Sequence, residues 1–526
     1  MIRKIMIVLA LYVKVGYAQG SKIIWLNYHS VGCVTCHRIA SVKVSDTLFL
    51  IGSFHYQDNK LKPFIIAVDE RLNIKWLKAF DHNLVNAGIV SMKKINDSLI
   101  ALSGGHTYAQ GQCPNNNCSF FGLFNVKTQN FVWAKYRQTE QQAWHISITA
   151  IDFDGSNIIL GAQSMVNNKG SWILKVDLDG NLLWQKLISY NNNEFSVMDV
   201  VYDGQNYVFL IRNNNGENPT LVKISQDGSL LWAKSYDFGG YDYPYKILKD
   251  LDGYIIIGFK CVNSSNCSNL NDDKILVFKT DFNGNVIWAK LYYSNIIGGD
   301  QRAYNANFDY DGNILISGFI RVNNNTSYPA ILKINRLDGT LIWARYWDTP
   351  PGNTNSNKAK GVISIGPGKF YLMTFIGSGT DASGGLAIIK EDTSSNSTED
   401  CTKMISFTVT DTTFTVLSET LYVVNPNITI QDLTFNPYEP TINMNNSCEI
   451  TPINNPESYA DCGIKIYSRR GYLDILSNEE KFIRIYDIKG SLVYSRKVKG
   501  IEKVYLKGGV YIIRINNKFT KILVRG

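Results

Sequence analysis

The residues of this sequence best suited to chemistry lie in a short run, SVGCVTCHRIA, at positions 30–40. Cys33, Cys36 and His37 have the spacing by which c-type haem is attached to a chain. The two cysteines form thioethers with the porphyrin and the adjacent histidine is an axial ligand of the iron. The same two cysteines can instead form a short disulfide. The elements around the run decide between these two interpretations.

The six histidines all lie within the first 145 residues, at positions 29, 37, 55, 82, 106 and 145. His29, His55, His106 and His145 are candidates for a sixth iron ligand. No helix or methionine-bearing segment that could enclose a porphyrin is visible, so we favour the disulfide and keep haem c as the alternative. No two histidines have helical or hairpin ligand spacing, so no metal site is predicted. Nucleophile elbows and phosphate loops are also missing, and no catalytic residue is predicted.

The other cysteines also favour disulfides. The chain has nine, and three pairs are close in sequence: 33/36, 113/118 and 261/267. Short pairs in loop-like sequence are typical of local disulfides in an oxidising compartment. The candidates are therefore Cys33, Cys36, Cys113, Cys118, Cys261, Cys267, Cys401 and Cys448. Cys401 can pair with Cys448 or with Cys462, and either choice leaves one odd thiol.

The first 18 residues predict a secretory signal peptide. Arg3 and Lys4 precede the apolar run IMIVLALYV (5–13), and small residues end at Ala18. No later apolar run is long enough to cross a bilayer. We therefore expect the mature protein to begin near Gln19 and to be secreted.

The net charge of +8 comes from the end of the chain. Residues 464–526 carry 15 Lys and Arg against 5 Asp and Glu, a balance of +10. The remaining residues therefore sum to −2, so we exclude a nucleic-acid partner for the main body of the chain.

A tryptophan repeat covers most of the chain. It recurs in strand-like sequence at Trp25, Trp76, Trp133, Trp184, Trp232, Trp288 and Trp343, in steps of 48 to 57 residues. Each unit predicts four short antiparallel strands, the pattern of a propeller blade. In four units a glycine stands four residues before the tryptophan, in a turn expected to be a tight two-residue hairpin. The tryptophan is expected to pack between neighbouring sheets.

The ends of the repeat complement each other. The last unit ends near residue 392 without a tryptophan strand, and the first tryptophan strand, 21–28, has no unit before it. Pairing 21–28 with 384–392 gives a ring of seven four-stranded blades over residues 19–392 and leaves no open edge. In that ring the six histidines and the loops with Cys113/Cys118 and Cys261/Cys267 share one face. The repeated Asp-Gly pairs are interpreted as turn residues.

Two parts of the chain resemble known families. The repeats resemble those of secreted propeller proteins with the pattern K-x-D-x-x-G-x-x-x-W-x-K. Residues 464–526, with IYDIKGSLVY, the step Gly509-Val510-Tyr511 and a basic end, resemble the C-terminal sorting domain of the type IX secretion system. The resemblance implies a C-terminal β-sandwich, a partnership with the outer-membrane secretion machinery and delivery to the cell surface or beyond. This chain lacks the usual opening Asn-Pro turn, so cleavage of the domain is left open.

The sequence therefore predicts an all-β protein with four parts: a signal peptide (1–18), a seven-bladed propeller closed by its N-terminal strand (19–392), a linker or β stalk (393–463) and a sorting domain (464–526). The expected function is a secreted or surface-attached binding or adhesion module for an unknown protein or glycan. Whether the protein is also an enzyme is left open, and no enzymatic activity is favoured. The alternative is an extracellular haem c propeller for electron transfer that uses Cys33, Cys36 and His37. A glycan hydrolase or lyase has only fold analogy in its favour.

Overall fold

A computed structural model of the chain contains only β-strands among the residues that it describes. The described residues are 11–18, 21–28, 39–57, 60–81, 88–105, 119–138, 144–165, 170–189, 195–213, 218–261, 273–294, 300–323, 326–347, 358–377, 384–392, 402–404, 407–418, 422–424, 429–433, 436–438, 442–444, 458–461, 464–469, 472–487, 491–506, 509–515 and 518–524. Within them, no helix is long and apolar enough to span a membrane. The chain divides into two compact units, Met1–Cys448 and Glu449–Gly526.

The described residues of the first unit form seven four-stranded antiparallel meanders, which we number in chain order. Meander 1 consists of β3 (Ala40–Ser45), β4 (Leu48–Gln57), β5 (Lys60–Val68) and β6 (Ile74–Asp81). Meander 2 consists of β7 (Gly88–Lys94), β8 (Leu99–Gly105), β9 (Ser119–Asn125) and β10 (Asn130–Gln138). Meander 3 consists of β11 (Trp144–Phe153), β12 (Ile158–Met165), β13 (Ser171–Val176) and β14 (Leu182–Ser189). Meander 4 consists of β15 (Phe195–Tyr202), β16 (Tyr207–Asn213), β17 (Pro219–Ile224) and β18 (Leu230–Asp237). Meander 5 consists of β19 (Tyr241–Lys249), β20 (Gly253–Cys261), β21 (Asp273–Asp281) and β22 (Val286–Tyr293). Meander 6 consists of β23 (Gln301–Phe308), β24 (Ile314–Asn323), β25 (Thr326–Ile334) and β26 (Leu341–Trp347). Meander 7 consists of β27 (Lys358–Gly366), β28 (Lys369–Gly377), β29 (Gly384–Asp392) and, as its fourth strand, β2 (Ser21–Tyr28).

The fourth strand of meander 7 comes from the other end of the chain. β2 pairs antiparallel with β29, from Lys22 opposite Lys390 to Tyr28 opposite Gly384. The predicted pairing of 21–28 with 384–392 is therefore confirmed. A further strand, β1 (Leu11–Ala18), pairs antiparallel with the outer side of β2 and lies within the predicted signal peptide.

Seven hydrophobic clusters lie between successive meanders. One of them joins meander 7 to meander 1, where the Phe49 and Tyr371 rings meet edge to face at 5.4 Å. The Tyr371 hydroxyl also donates to the carbonyl oxygen of Asp69 and accepts from the amide of Leu72. The first strands contact one another in sequence order, and β27 contacts β3. The fold is thus all-β and propeller-like, with its core between the sheets.

Four tryptophans of the repeat, Trp133, Trp184, Trp232 and Trp288, pack on the glycine of the turn in the next meander. A Cβ atom on Gly180 would lie 2.9 Å from the Trp133 ring, and one on Gly339 would lie 2.9 Å from the Trp288 ring. The turn itself differs from the expected two-residue hairpin. Five residues, 177–181, separate β13 from β14, and the Asp177 carboxylate accepts hydrogen bonds from backbone amides within the turn.

Meanders 1 and 2 have the same left-handed turn position, although a residue other than glycine occupies it. Leu72 and Gln129 stand four residues before Trp76 and Trp133, and their φ angles are 61° and 55°. No other non-glycine residue in the described part of the chain has a positive φ. The left-handed position is therefore a property of the repeat, and glycine fills it in four of the units.

The Asp-Gly turns are structural, as interpreted from the sequence. In meanders 3 to 6, the turn between the first and second strands carries an aspartate that forms an ion pair with a lysine of the third strand in the same meander. In meander 4, Lys223 Nζ lies 2.8 Å from Asp203 Oδ2, and in meander 5, Lys279 Nζ lies 2.7 Å from Asp250 Oδ2. These pairs connect the first turn of a meander to its third strand and leave these carboxylates committed to the fold.

Residues 402–444 were expected in a linker and stalk. The described residues in this range form seven short strands that pair along the outer edges of the meanders. We call this segment the belt. Its strands are β30 (Thr402–Met404), β31 (Thr408–Asp411), β32 (Thr415–Ser418), β33 (Tyr422–Val424), β34 (Thr429–Leu433), β35 (Asn436–Tyr438) and β36 (Ile442–Met444). The first six pair antiparallel with β26, β22, β18, β14, β10 and β6, in that order. β36 pairs with β1 in the sheet of meander 7. The belt thus passes every meander once, in the reverse of chain order.

The second unit is a six-stranded sheet of β37 (Ser458–Asp461), β38 (Ile464–Arg469), β39 (Tyr472–Asp487), β40 (Leu492–Tyr505), β41 (Gly509–Ile515) and β42 (Lys518–Val524). β39 pairs with β38, β40 and β41, and its buried residues include Ile475 and Ile485. The two predicted hairpins are present, since β39 pairs with β40 and Ile515 pairs with Lys518.

Candidate functional site

The predicted binding face lies where first strands begin and second strands end, and we call it the loop face. Cys33, Cys36 and His37, the residues proposed for haem, lie outside the described residues, and so do His29, His82 and His106. His55 lies near the end of β4 and His145 near the start of β11, so their backbones are at the predicted ends of their sheets. The haem alternative and the Cys33–Cys36 disulfide both stay predictions.

Cys261 is the one candidate cysteine among the described residues. It is fully buried at the end of β20, opposite Asp273 in the sheet, and it is disulfide-bonded. The other eight cysteines lie outside the described residues, so the pairing with Cys267 stays a prediction. Among the described residues, no group of three His, Cys, Asp or Glu side chains could hold a metal ion.

Four cations meet at the loop face of meanders 5 to 7, and we call Arg302, Arg321, Lys358 and Lys360 the cation cluster. Two of them are paired with carboxylates that are fully buried. Arg302 Nε donates to Asp273 Oδ2, and Arg321 Nη1 lies 3.2 Å from Asp300 Oδ2. Since these arginine side chains are only 20% and 14% exposed, the two ion pairs lie mostly out of water.

Lys358, the first residue of β27, has no such partner among the described residues. Its ammonium group lies 5.4 Å from the centroid of the Phe319 ring, and no described carboxylate forms an ion pair with it. Burial and the guanidinium groups of Arg302 and Arg321 lower the pKa of Lys358 to about 8, although Asp300 opposes this effect. The charged form of Lys358 is therefore destabilised in this position.

Aromatic rings lie in cation–π contact with the cation cluster. Arg302 lies 4.6 Å from the Phe259 ring centroid, and Lys360 lies 3.1 Å from that of Tyr304. Tyr304 meets Tyr245 edge to face at 4.9 Å, and its ring stacks on Phe319 at 5.9 Å. These rings are buried, so they hold the neighbouring cationic groups by cation–π contact in a region with little water.

This arrangement can bind an oxyanion. Guanidinium and ammonium groups donate charge-assisted hydrogen bonds to carboxylate, sulfate or phosphate oxygens. The two buried carboxylates balance Arg302 and Arg321, and no described carboxylate pairs with Lys358. Its positive charge would therefore attract an anion strongly in this mostly buried region. Sequence reasoning missed this site because its residues come from different repeats and form no motif along the chain.

Comparisons with known proteins assign neither a family nor a function. No family description matches the sequence, and no curated protein matches it. Among solved structures, the chain is similar to two of Sqt1 from Chaetomium thermophilum. One has 10% identity and a TM-score of 0.39 over 73% of this chain and 99% of that one. The other has 10% identity and a TM-score of 0.38 over 75% of this chain and all of that one. A chain from a S. cerevisiae complex of Dbp5 with Nup159, Gle1, IP6 and ADP has 9% identity and a TM-score of 0.33, over 72% and 95% of the two chains.

Proposed function

We propose that this chain is a secreted binding module that holds an anionic ligand on its loop face through the cation cluster. The observation that carries the proposal is Lys358, which lies partly buried beside Arg302 and Arg321 and has no carboxylate partner among the described residues. The group that it contacts is a carboxylate or a sulfate, carried by a glycan or protein outside the cell. In this proposal Arg302 and Arg321 position the ligand, and Lys358 supplies the unbalanced charge.

The scaffold in this proposal is a closed seven-bladed propeller over residues 19–392. Three observations support closure: the pairing of β2 with β29, the contact of β27 with β3, and the hydrogen bonds of Tyr371 with Asp69 and Leu72. A closed ring would hold meanders 5 to 7 at fixed angles, so the cation cluster would be formed before any ligand arrives.

Delivery to the cell surface is the other part of the proposal. The leader at 1–18 would direct export, and residues 464–526 would act as a β-sandwich sorting domain for the type IX machinery. The compact second unit, with its own hydrophobic cluster around Ile475, Ile483 and Ile513, supports a domain that folds by itself. Deleting 464–526 should leave the protein in the periplasm, and appearance of the truncated protein in the medium would refute the sorting role.

Calorimetric titration of the chain 19–526 tests the binding function. The probes are sodium sulfate, sodium acetate and a short oligogalacturonate, so free anions are compared with an acidic glycan. At pH 7 we expect binding of at least one probe, with a loss of at least tenfold in affinity for Lys358→Met. Affinity should also fall between pH 7 and pH 9.5, because Lys358 loses its proton over this range.

The matched control is Lys249→Met, which removes an exposed lysine at the opposite end of meander 5. It should leave the affinity unchanged. Equal losses for both variants would show that only net charge matters. If none of the three probes binds, the anionic ligand class is refuted.

A further inference from the structure

The belt has one irregularity, and it coincides with the predicted leader. Six belt strands pair directly and antiparallel with the fourth strand of a meander, as β34 does with β10. In meander 7 the fourth strand is β2, but β1 lies between β2 and β36. This meander therefore has one strand more than the other six.

The direction of β36 already suits β2. β36 runs parallel to β1, and β1 runs antiparallel to β2. β36 is therefore antiparallel to β2, the same relation that the other belt strands have to their fourth strands. If β1 were absent, β36 could pair with β2 without reversing the chain.

The register of β36 in the sheet is also suitable for pairing with β2. Asn443 lies opposite Tyr12, which lies opposite Asn27, and Met444 lies opposite Val13, which lies opposite Leu26. β36 is therefore level with the residues one and two places beyond Trp25. The belt strand of meander 2 likewise pairs with the residues one to five places beyond Trp133. A sideways shift of one strand spacing, about 4.8 Å, would bring β36 into the equivalent position.

We propose that β1 occupies the place of a belt strand, and that in the chain without residues 1–18 β36 pairs directly with β2. Removal of the leader would then complete the belt and cover the edge of β2 that β1 had occupied. An uncovered strand edge is a site for pairing with other chains. This inference does not depend on the anionic ligand.

A pair of cysteines tests this exchange. Asn27→Cys and Asn443→Cys are introduced together into the chains 1–526 and 19–526, both produced without export so that the leader is retained in the longer chain. With β1 in place the two Cα atoms are two strand spacings apart, about 9.5 Å, which is too far for a disulfide. After the exchange they are opposite each other. We expect the cross-linked peptide in 19–526 at tenfold or greater yield over 1–526.

The positive control is the pair Lys290→Cys and Asp411→Cys, which face each other in β22 and β31 and should cross-link in both chains. If the control cross-links and the 27/443 pair does not in 19–526, the exchange is refuted. Equal cross-linking in both chains would refute it as well, because β1 would then not separate the two strands.

A second measurement avoids engineered cysteines. Asn443→Pro removes a backbone donor and prevents β36 from pairing. In 19–526 this variant should speed amide hydrogen exchange in residues 21–28 at least tenfold, whereas in 1–526 it should have no effect there. An unchanged exchange rate in 19–526 would overturn the proposal.

Discussion

The indole of Trp133 covers Gly180 in the next meander, and its Nε1 donates a hydrogen bond of 2.8 Å to the carbonyl oxygen of Leu178 in the same turn. The relationship recurs with Trp184, which donates to the carbonyl oxygen of Gln226 at 3.0 Å. It gives a physical reason for a glycine in this turn. The glycine of one meander provides space for the tryptophan of the meander before it.

Gly180→Ala should destabilise the protein through two effects. Its φ of 82° costs about 1–2 kcal/mol for a residue with a Cβ, and overlap with Trp133 adds roughly 1–3 kcal/mol. Gly312→Ala is the matched control, because Gly312 has a φ of 80° and nothing within 4 Å of an added Cβ. Denaturant unfolding should therefore show a larger loss for Gly180→Ala, and equal losses would contradict the packing role.

Gln129→Gly should stabilise the protein. Gln129 has the left-handed conformation that glycine fills in other units, so the substitution relieves strain and should gain about 0.5–1 kcal/mol after the added entropy of the unfolded chain. Leu72→Gly relieves the same strain but removes a side chain that is 1% exposed, so it should lower stability instead. Thermal unfolding of both variants separates the two effects, and a loss of stability in Gln129→Gly would contradict the first.

The belt should protect the chain from association. Without it, the fourth strands of the meanders would have open edges. The truncated chain 19–448 keeps the belt and should be monomeric in size-exclusion chromatography, whereas 19–392 should associate and unfold at a lower temperature. If 19–392 is monomeric and as stable as 19–448, the belt has no protective role.

Lys358 should give stability a distinct dependence on pH. Its pKa is about 8 in the folded protein and near its ordinary value of 10.5 in the unfolded chain. Between these values the unfolded chain holds more protons, so the free energy of unfolding should rise as pH rises from about 8 to about 10.5. Subtracting the profile of Lys358→Met from that of the wild type isolates this rise. A flat difference would show that the lysine is solvated normally.

The opening motif is tested by intact mass under denaturing conditions, after expression with a haem-attachment system. A disulfide between Cys33 and Cys36 predicts no added haem and a mass lower by two protons for each disulfide. The stabilisation from so short a loop should stay below about 3 kcal/mol. A haem adduct that disappears in Cys36→Ser would instead establish the alternative.

The repeated strands could be predicted from the sequence. The belt and the cation cluster could not, because each depends on residues that are far apart in the chain. The spacing of Trp25 to Trp343 predicted the strands and the pairing of 21–28 with 384–392, because each unit repeats one local pattern. The belt was missed because its strands are three to five residues long, and their positions depend on edges formed by other parts of the chain. Arg302, Arg321 and Lys358 were missed because only the packing of separate strands brings them together.

The belt also constrains the order in which the protein can fold. Strands within a meander are neighbours in sequence, so each meander can form early and locally. The belt strand β30 pairs with β26 in meander 6, about 60 residues earlier, but β35 pairs with β6, which lies more than 300 residues earlier. Closing so long a loop in one step is slow, whereas each belt strand already held brings the next one to its edge. The belt should therefore attach last and in one direction, from meander 6 towards meander 1, as a zipper that closes only over meanders already formed.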